Sequence, residues 1–403
     1  MKIVQINAVN RYSSTGLNTQ ELHEFLKAHG HDSYVFCTNE DAPEEGVFRI
    51  GSPRDYKTHA FLSRLTGRQA QFSKEATRRL IRHLEQIRPD VVHLGNLHAN
   101  YINLPLLLAW LAENDVATSL TLHDCWSFTG HCCHFIDTKC DRWTDSCGHC
   151  PDLHNWNRSW FFDRSAQNLE MKRNLFGAIP RLAVIGVSDW VTNLARRSIL
   201  KGASIIRTVY NWIDIDKFCP QDTSDLRARL GLDGKKVILG VSQTWGPQKG
   251  VNDFFSIAER LPECAVVMVG KMPEEYMVPS NVISVPPTSS PLELTGYYSM
   301  ADVFFMPSQR ETFGKVTAEA LSSGTPVVAY DATATPEVVG PGCGSVVQPG
   351  DIDSAVKEIK LILNPGKTSY ETTCRDFAIK NFNKDKSLGR YLDVFEELTS
   401  NRF

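Results

Sequence analysis

Short apolar runs alternate with amphipathic stretches along almost the whole chain. Lys2–Ala8, Ser33–Cys37, Val91–Leu94, Ala117–Leu122 and Ala183–Val187 have the apolar character of buried strands. Between them lie segments with helical spacing, Leu17–Ala28, Lys74–Gln86, Leu104–Leu111, Ser159–Phe176 and Trp190–Leu200. Parallel strands cannot be joined by a tight turn, so this alternation predicts parallel sheets wound with crossover helices. The pattern then restarts: Lys236–Val241, Ala265–Val269, Val282–Val285, Val303–Met306 and Pro326–Ala329 form a second strand set. Helical segments Val251–Arg260, Glu293–Ser299 and Val316–Ser322 are interleaved with it. A turn-rich passage, Asn211–Pro220, lies between the two sets and leads to a helix near Thr223–Leu230.

The expected fold class is therefore α/β, with two doubly wound, Rossmann-like domains at 1–211 and 212–380. A helical tail, 381–403, would cross back and pack on the first domain. A length of 403 residues suits two domains better than one. In open sheets of this type ligands bind beyond the carboxyl ends of the strands, so the loops there hold the candidate chemistry.

Charge and composition exclude several classes of function. The chain has 43 basic and 46 acidic residues, a formal net charge of −3, and no global basic surplus suited to nucleic acid. The charge-free run Val91–Ala112 is long enough to span a bilayer, but His93, Gly95, Asn96, His98, Asn100, Asn103 and Pro105 make it too polar for lipid. No apolar core of the signal-peptide kind follows Lys2. With 11 cysteines, an odd number, these features point to a reducing cytoplasm, where clustered thiols suggest metal before disulfide. All 12 histidines and 7 of the 11 cysteines precede residue 211, so the two halves are chemically different.

The stretch from Asp302 to Val328 carries the most information. A strand runs into a loop containing Glu311, Thr312, Phe313 and Gly314, and a helix opens at once with Lys315 and carries Glu319. That arrangement aims backbone N–H groups and the positive helix end at an anion. Two carboxylates beside an amide nest suit a sugar diphosphate, because amides hold phosphate and carboxylates accept from hydroxyls. Helix-dipole pairing by Glu319 and a solvated Glu311 would explain the pair alone equally well.

Glu311-Thr-Phe-Gly-x4-Glu319-Ala-Leu-x2-Gly-Thr-Pro-Val resembles the donor-site signature of retaining glycosyltransferases of family 4, which have the GT-B fold. The resemblance implies two Rossmann-like domains facing a cleft. It also implies contact of Glu311 with the donor sugar, of the Phe313 and Gly314 amides with sugar and phosphate, and of Glu319 with the ribose. Leu239–Gly250 is similar to the family's Gly-Arg-x4-Lys-Gly loop, which would place Lys249 on the pyrophosphate. Thr244 stands where the family has its arginine, and the form with Trp245 looks like a subgroup linked to colanic-acid and other exopolysaccharide synthesis. Asn211 resembles part of a Tyr-Asn-Gly-x-Asp hinge strip, with Trp212 in place of the glycine.

In the first half, the loop Asn10–Thr19 contains Gly16 at a helix start, where a ligand could approach the backbone closely. A simple turn and N-cap is the plainer account. By resemblance this loop contacts the donor phosphate near the acceptor. His123 ends a strand at Thr121–Trp126, and the family's equivalent histidine sits over the donor sugar. Asp124 could fix its tautomer, although neighbouring side chains on an extended segment diverge. The loop His93–Asn100 resembles a His-Leu-His-x-x-His pattern with Gly95 replacing one histidine. It suggests an acceptor-side or structural role for His93 and His98, with Asp124 and Trp126 also on the acceptor side.

Cys132, Cys140, Cys147 and Cys150 lie in a polar loop, 125–155, separated by seven, six and two residues. Cys147-Gly-His-Cys150 has the spacing of a zinc-knuckle half, and a structural zinc could order a loop with little core of its own. Disulfides, a redox Cys-x-x-Cys or reduced thiols are the alternatives. Residues 53–90 contain nine basic and four acidic groups. They form either a solvated helix face or a cationic face, 54–88, for anionic lipid head groups.

The combined expectation is a retaining hexosyltransferase of surface polysaccharide biosynthesis. It would use a nucleotide sugar, UDP-linked before GDP-linked, and a saccharide or lipid-diphosphate-linked acceptor. It would need no metal for catalysis, bind no nucleic acid, and be cytoplasmic with peripheral association at the membrane. Alternatives are a sugar-nucleotide epimerase of the same fold and a non-catalytic zinc-loop binding protein.

Overall fold

Two seven- and six-stranded sheets, parallel throughout, organise the chain. The computed structural model describes residues 1–39, 44–288 and 290–400, so residues 401–403 of the expected tail lie outside the described range. The first unit comprises Met1–Val209 together with the chain from Leu388 onward; the second comprises Tyr210–Ser387. Residues 381–387, expected with the terminal segment, thus belong to the second unit.

The first sheet contains β1 (Lys2–Ile6), β2 (Asp32–Cys37), β3 (Val47–Arg49), β4 (Val91–Leu94), β5 (Ala117–Leu122), β6 (Leu182–Gly186) and β7 (Ile205–Thr208). Their order is β3-β2-β1-β4-β5-β6-β7, and the reversal beside β1 is a switch point of the kind at which such sheets bind ligands. The second sheet contains β8 (Lys236–Thr244), β9 (Cys264–Lys271), β10 (Val282–Val285), β11 (Val303–Met306), β12 (Val327–Tyr330) and β13 (Gly344–Val347), ordered β10-β9-β8-β11-β12-β13. Its switch point falls between β8 and β11, the two strands that lead into the Lys249 and Glu311 loops.

The central strands are apolar because helices cover both of their faces. The polar residues of β5 each have a partner inside the core. Thr118 donates to the Val116 carbonyl at 2.9 Å, Ser119 bonds the His93 ring at 2.5 Å, and Thr121 meets the Tyr391 hydroxyl at 3.1 Å. Tyr391 belongs to the helix Lys384–Ser400, whose apolar face completes the first unit's interior through Leu388, Val394, Phe395 and Leu398.

β3, β7 and β13 were not expected from sequence. All three are edge strands, and none of them is buried along its whole length. The helix Pro53–Thr66 was also missed, although Ser52 and Asp55 form a reciprocal capping box with proline at the first turn. Conversely, the helix expected over 159–176 starts only at Ser165. Asp163 accepts from the Ser165 amide at 2.8 Å, and residues 156–163 form a loop.

The second core is built around Phe254, which packs edge-to-face on Trp245 and Phe305 at 5.1 Å. Gly240 is bare backbone because a β-carbon there would enter the Phe254 ring. Phe254→Ala should destabilise the second unit by about 3–5 kcal/mol. Urea unfolding followed by intrinsic fluorescence would show that unit's transition moving to lower denaturant.

Candidate functional site

In the second unit the site begins with two loops that leave adjacent strands. After β8 the chain bulges, forms a short turn at Pro247–Lys249, and passes through Gly250 into the helix Val251–Arg260. Gly250 has φ +71°, and a β-carbon there would collide with Pro307, the first residue after β11. The contact is therefore available only to glycine, and it presses the Lys249 turn against the β11 loop. Lys249 Nζ then donates to Glu311 Oε1 at 2.6 Å, and Ser308 Oγ donates to the same oxygen at 2.9 Å. The Glu311 amide donates to Thr333 Oγ1 at 2.9 Å, and its carbonyl accepts from the Ala334 amide at 3.2 Å.

Thr312, Phe313 and Gly314 complete the loop. The Phe313 ring is buried against Phe382 at 5.3 Å and Tyr210 at 6.1 Å, so the side chain is an anchor that turns its backbone toward the helix entrance. Gly314 has φ +88° and caps the helix Lys315–Ser322. Lys315 begins that helix with its ammonium 5.7 Å from the Trp212 ring. A cation in a first turn opposes the helix dipole, so this end is more positive than backbone alone would make it. Asn211 is buried beside it in the chain.

Glu319, four residues after Lys315, accepts from the Tyr298 hydroxyl at 2.8 Å. Burial raises its carboxyl above the ordinary value, while the Tyr298 bond and the Lys315 charge oppose that rise. Thr244 stands exposed at the end of β8 and pairs in register with Lys271 of β9. Lys271 and Lys315 are cations that motif matching did not single out as replacements for the family arginine. The five residues from Glu311 to Lys315, with Glu319 and Lys249, all expected at a donor, lie at the carboxyl end of β8 and β11.

In the first unit the expected residues separate. Gly16 lies in the first turn of the helix Ser13–Ala28, where a β-carbon would sit 3.2 Å from the Arg11 nitrogen and the Asn10 carbonyl carbon. Gly95 has a comparable reason: a β-carbon there would lie 2.6 Å from Asn7 Oδ1, which accepts from the Asn96 amide at 2.8 Å. A histidine at 95 is thus excluded by Asn7. His123 is half-buried at the end of β5.

Three of the expected residues are engaged inside the first unit. His93 takes the structural of its two expected roles: it is interior, bonded to Ser119 and stacked edge-on to Tyr391 at 5.6 Å. Burial, with a smaller contribution from His123, holds its pKa at about 3. Trp126 is 1% exposed; its indole donates to Gln69 at 2.6 Å and its face meets the Lys172 ammonium at 3.4 Å. It organises the core and offers no open ring to a sugar. Asp124 pairs with His98, whose Nε2 lies 2.7 Å from Oδ2. Burial alone would raise the Asp124 carboxyl, but the His98 charge and bond and the Trp126 amide bring it down to about 2.

None of the 11 cysteines is joined in a disulfide. Burial pushes the Cys132, Cys147 and Cys150 thiols up, with smaller contributions from Cys150 and Cys147 at Cys132, from Cys140 at Cys147 and from Cys147 at Cys150. Among the described residues, however, the three metal-type donor atoms that gather within 4.8 Å of one another belong to His98, Asp124 and Cys133. The loop as described does not close around a tetrathiolate ion. What it does hold is Lys172, fully buried, whose ammonium donates to the Trp126 and Thr129 carbonyls at 2.6 and 2.8 Å.

Comparison with known proteins agrees with this geometry. Residues 18–217 match the model of glycosyltransferase family 4, and residues 222–380 match that of the glycosyl transferases group 1. The chain belongs to the glycosyltransferases of GT-B fold. The sulfoquinovosyl transferase SQD2 of Arabidopsis thaliana is 25% identical over 87% of this chain and 63% of its own length. The chain thus spans under two thirds of that relative. A putative colanic acid biosynthesis glycosyl transferase, WcaC of Escherichia coli, is 24% identical over 77% of each chain. Among solved structures, HepE of Anabaena in complex with UDP superposes with a TM-score of 0.69 at 17% identity, covering 98% of this chain and 100% of that one.

The buried histidines make a pH prediction. A histidine held neutral in the fold leaves stability unchanged above its ordinary value of 6.5. Below that value the unfolded chain takes up a proton that the fold refuses, so stability falls, by about 1.4 kcal/mol per pH unit for each such group. His93 at about 3 and His59 at about 4 both act in this window. His93→Gln should remove one proton's worth of slope, measured as urea stability of the first unit between about pH 6 and pH 4.

Proposed function

We propose that the chain is a retaining glycosyltransferase that moves a hexose from a nucleotide diphosphate to a saccharide acceptor in surface polysaccharide synthesis. The observation that carries this is the Lys249–Glu311 pair, held by Gly250 and Pro307 at the mouth of the helix Lys315–Ser322. In the ligand-free arrangement each partner satisfies the other. A donor would separate them, drawing Lys249 to the diphosphate and leaving Glu311 to accept from sugar hydroxyls. Glu319, already oriented by Tyr298, would accept from the ribose.

Chemistry then needs no protein nucleophile. The bond from the anomeric carbon to the diphosphate breaks, the acceptor oxygen bonds to that carbon on the same face, and the acceptor proton passes to the departing diphosphate. Lys249, Lys315 and the amides near Gly314 stabilise the charge that develops on the leaving group. His123 would lie over the sugar and Gly16 beside the phosphate. His98, oriented by Asp124, is the acceptor-side candidate.

UDP is the favoured nucleotide, supported by the UDP and UDP-glucose complexes of HepE. A lipid-diphosphate-linked acceptor fits the exposed cations of residues 54–88, which would hold the protein at an anionic membrane surface. Among the described residues no helix is long and apolar enough to cross a membrane.

Glu319→Ala should abolish nucleotide-sugar binding in calorimetric titration while leaving the thermal transition in place. Unchanged binding would favour a non-catalytic protein. Nucleotide diphosphate released only when acceptor is added would exclude an epimerase.

Structural zinc in the Cys132, Cys140, Cys147 and Cys150 loop would require the loop to close further around the ion; it has support from the absence of disulfides among the described cysteines and from the amides of Gly130 and Asp152 that donate to Cys147 and Cys150. Bound there, zinc would order the loop and take no part in transfer. Elemental analysis of protein purified without added metal should find zinc; less than roughly a tenth of an ion per chain overturns the site. Turnover should persist in EDTA as long as the fold does.

A further inference from the structure

Of the eight tryptophans in the chain, Trp156 and Trp160 are the exposed ones among the described residues, and they lie four residues apart in the loop that precedes the helix Ser165–Gly177. Phe161 and Phe162 follow, 68% and 50% exposed, and Phe61 of the helix Pro53–Thr66 is 52% exposed. Four of these rings form one ledge: Phe61 meets Trp160 edge-on at 5.7 Å, Trp160 meets Phe161 at 6.4 Å, and Phe161 meets Phe162 at 6.5 Å. Trp156 lies exposed on the same loop, four residues before Trp160.

The backbone beneath the rings is well tied. The Trp160 amide donates to the Arg64 carbonyl at 2.7 Å, and Ser159 Oγ donates to the Phe162 carbonyl at 2.8 Å. That carbonyl also sits so close to Gly67, at φ +72°, that a β-carbon there would collide with it. The loop therefore keeps its polar backbone satisfied while holding four large aromatics in water, an arrangement that stability alone does not require.

The exposed charge around the ledge is mainly basic. Arg54, Lys57, Arg64, Arg68 and Arg158 are exposed, and Arg164 lies 5.8 Å from the Phe162 ring. The two nearby carboxylates are engaged locally, Asp55 in the capping box with Ser52 and Asp163 with the Cys150 and Ser165 amides. Exposed Trp and Phe beside unpaired-sign cations match the boundary between head groups and acyl chains of an anionic bilayer.

We propose that this ledge is a membrane-docking surface, with Trp156, Trp160, Phe161 and Phe162 entering the interface and the cations binding anionic lipid. The assignment extends the membrane association proposed above, but it does not depend on glycosyl transfer.

The test uses the full chain and sedimentation with vesicles of phosphatidylcholine, with and without phosphatidylglycerol. Wild type should bind the anionic vesicles and show a blue shift of tryptophan emission, and salt should weaken the binding. Trp156→Ser combined with Phe161→Ser and Phe162→Ser should reduce the affinity about tenfold or more, with circular dichroism and nucleotide-sugar binding unchanged. Arg54→Gln with Lys57→Gln should flatten the salt dependence while sparing the fold. Vesicle binding unaffected by the aromatic substitutions overturns the proposal, as does equal binding to neutral and anionic vesicles. So does a concentration-dependent dimer, or an oligosaccharide complex, that the same substitutions abolish in a wild type that ignores vesicles. Loss of donor binding in wild type would instead count against the transferase proposal and leave this one standing.

Discussion

The ion pair of Lys249 with Glu311 joins loops that are 62 residues apart in sequence and leave neighbouring strands β8 and β11. Its contribution to stability is modest, because Lys249 is 42% exposed and partly exposed pairs are screened by water. Its importance is positional. Each ion sets where the other can stand, and both are set by the Gly250–Pro307 contact, which tolerates no side chain. The helix entrance at Gly314, the Lys315 charge and the Glu319 carboxylate are then arranged around a place where a divalent or higher anion would replace the internal partner. A site prepared in this way has its charges already oriented before a ligand arrives, which reduces the reorganisation that transfer would demand.

Much of this was legible in the chain itself. Central strands such as Val303–Met306 are apolar on both faces and flanked by turn residues, so their positions follow from composition. The geometry of the loop after β11 was legible for a different reason: Glu311, Phe313, Gly314 and Glu319 are fixed by local backbone geometry at a strand-to-helix turn, where spacing in sequence is spacing in space. The edge strands β3, β7 and β13 carry mixed exposure and so lacked that apolar signal. The roles of His93, Trp126 and Asp124 were not legible because their partners are distant. Ser119, Tyr391, Gln69, Lys172 and His98 come from other strands and helices, and no local pattern announces them. Residues 159–163 read as helix because their apolar positions continue the spacing of the helix that follows, whereas the helix itself starts at Ser165, whose amide donates to Asp163.

The interior of the first unit is unusually polar around the cysteine loop. Lys172 is buried with two carbonyls and an indole face for company, and Gln69 bridges Trp126 to the His131 ring at 2.8 Å. Polar groups buried together are stable only as a complete set, since removing one leaves the others without partners. This network gives a loop with few apolar residues a defined conformation, whichever state its thiols adopt.

The helix Lys384–Ser400 completes the interior of the first unit, placing Tyr391 and Phe395 on His93 and Thr399 near Met1. A ribosome making this chain delivers the whole of 210–383 before that helix emerges. Until then the surface around His93 and Thr121 lacks its cover, and the first unit waits, partly assembled, while the second folds. A later-made segment therefore closes an earlier-made domain, and the interval between them is when the nascent chain is most open to aggregation or to a chaperone.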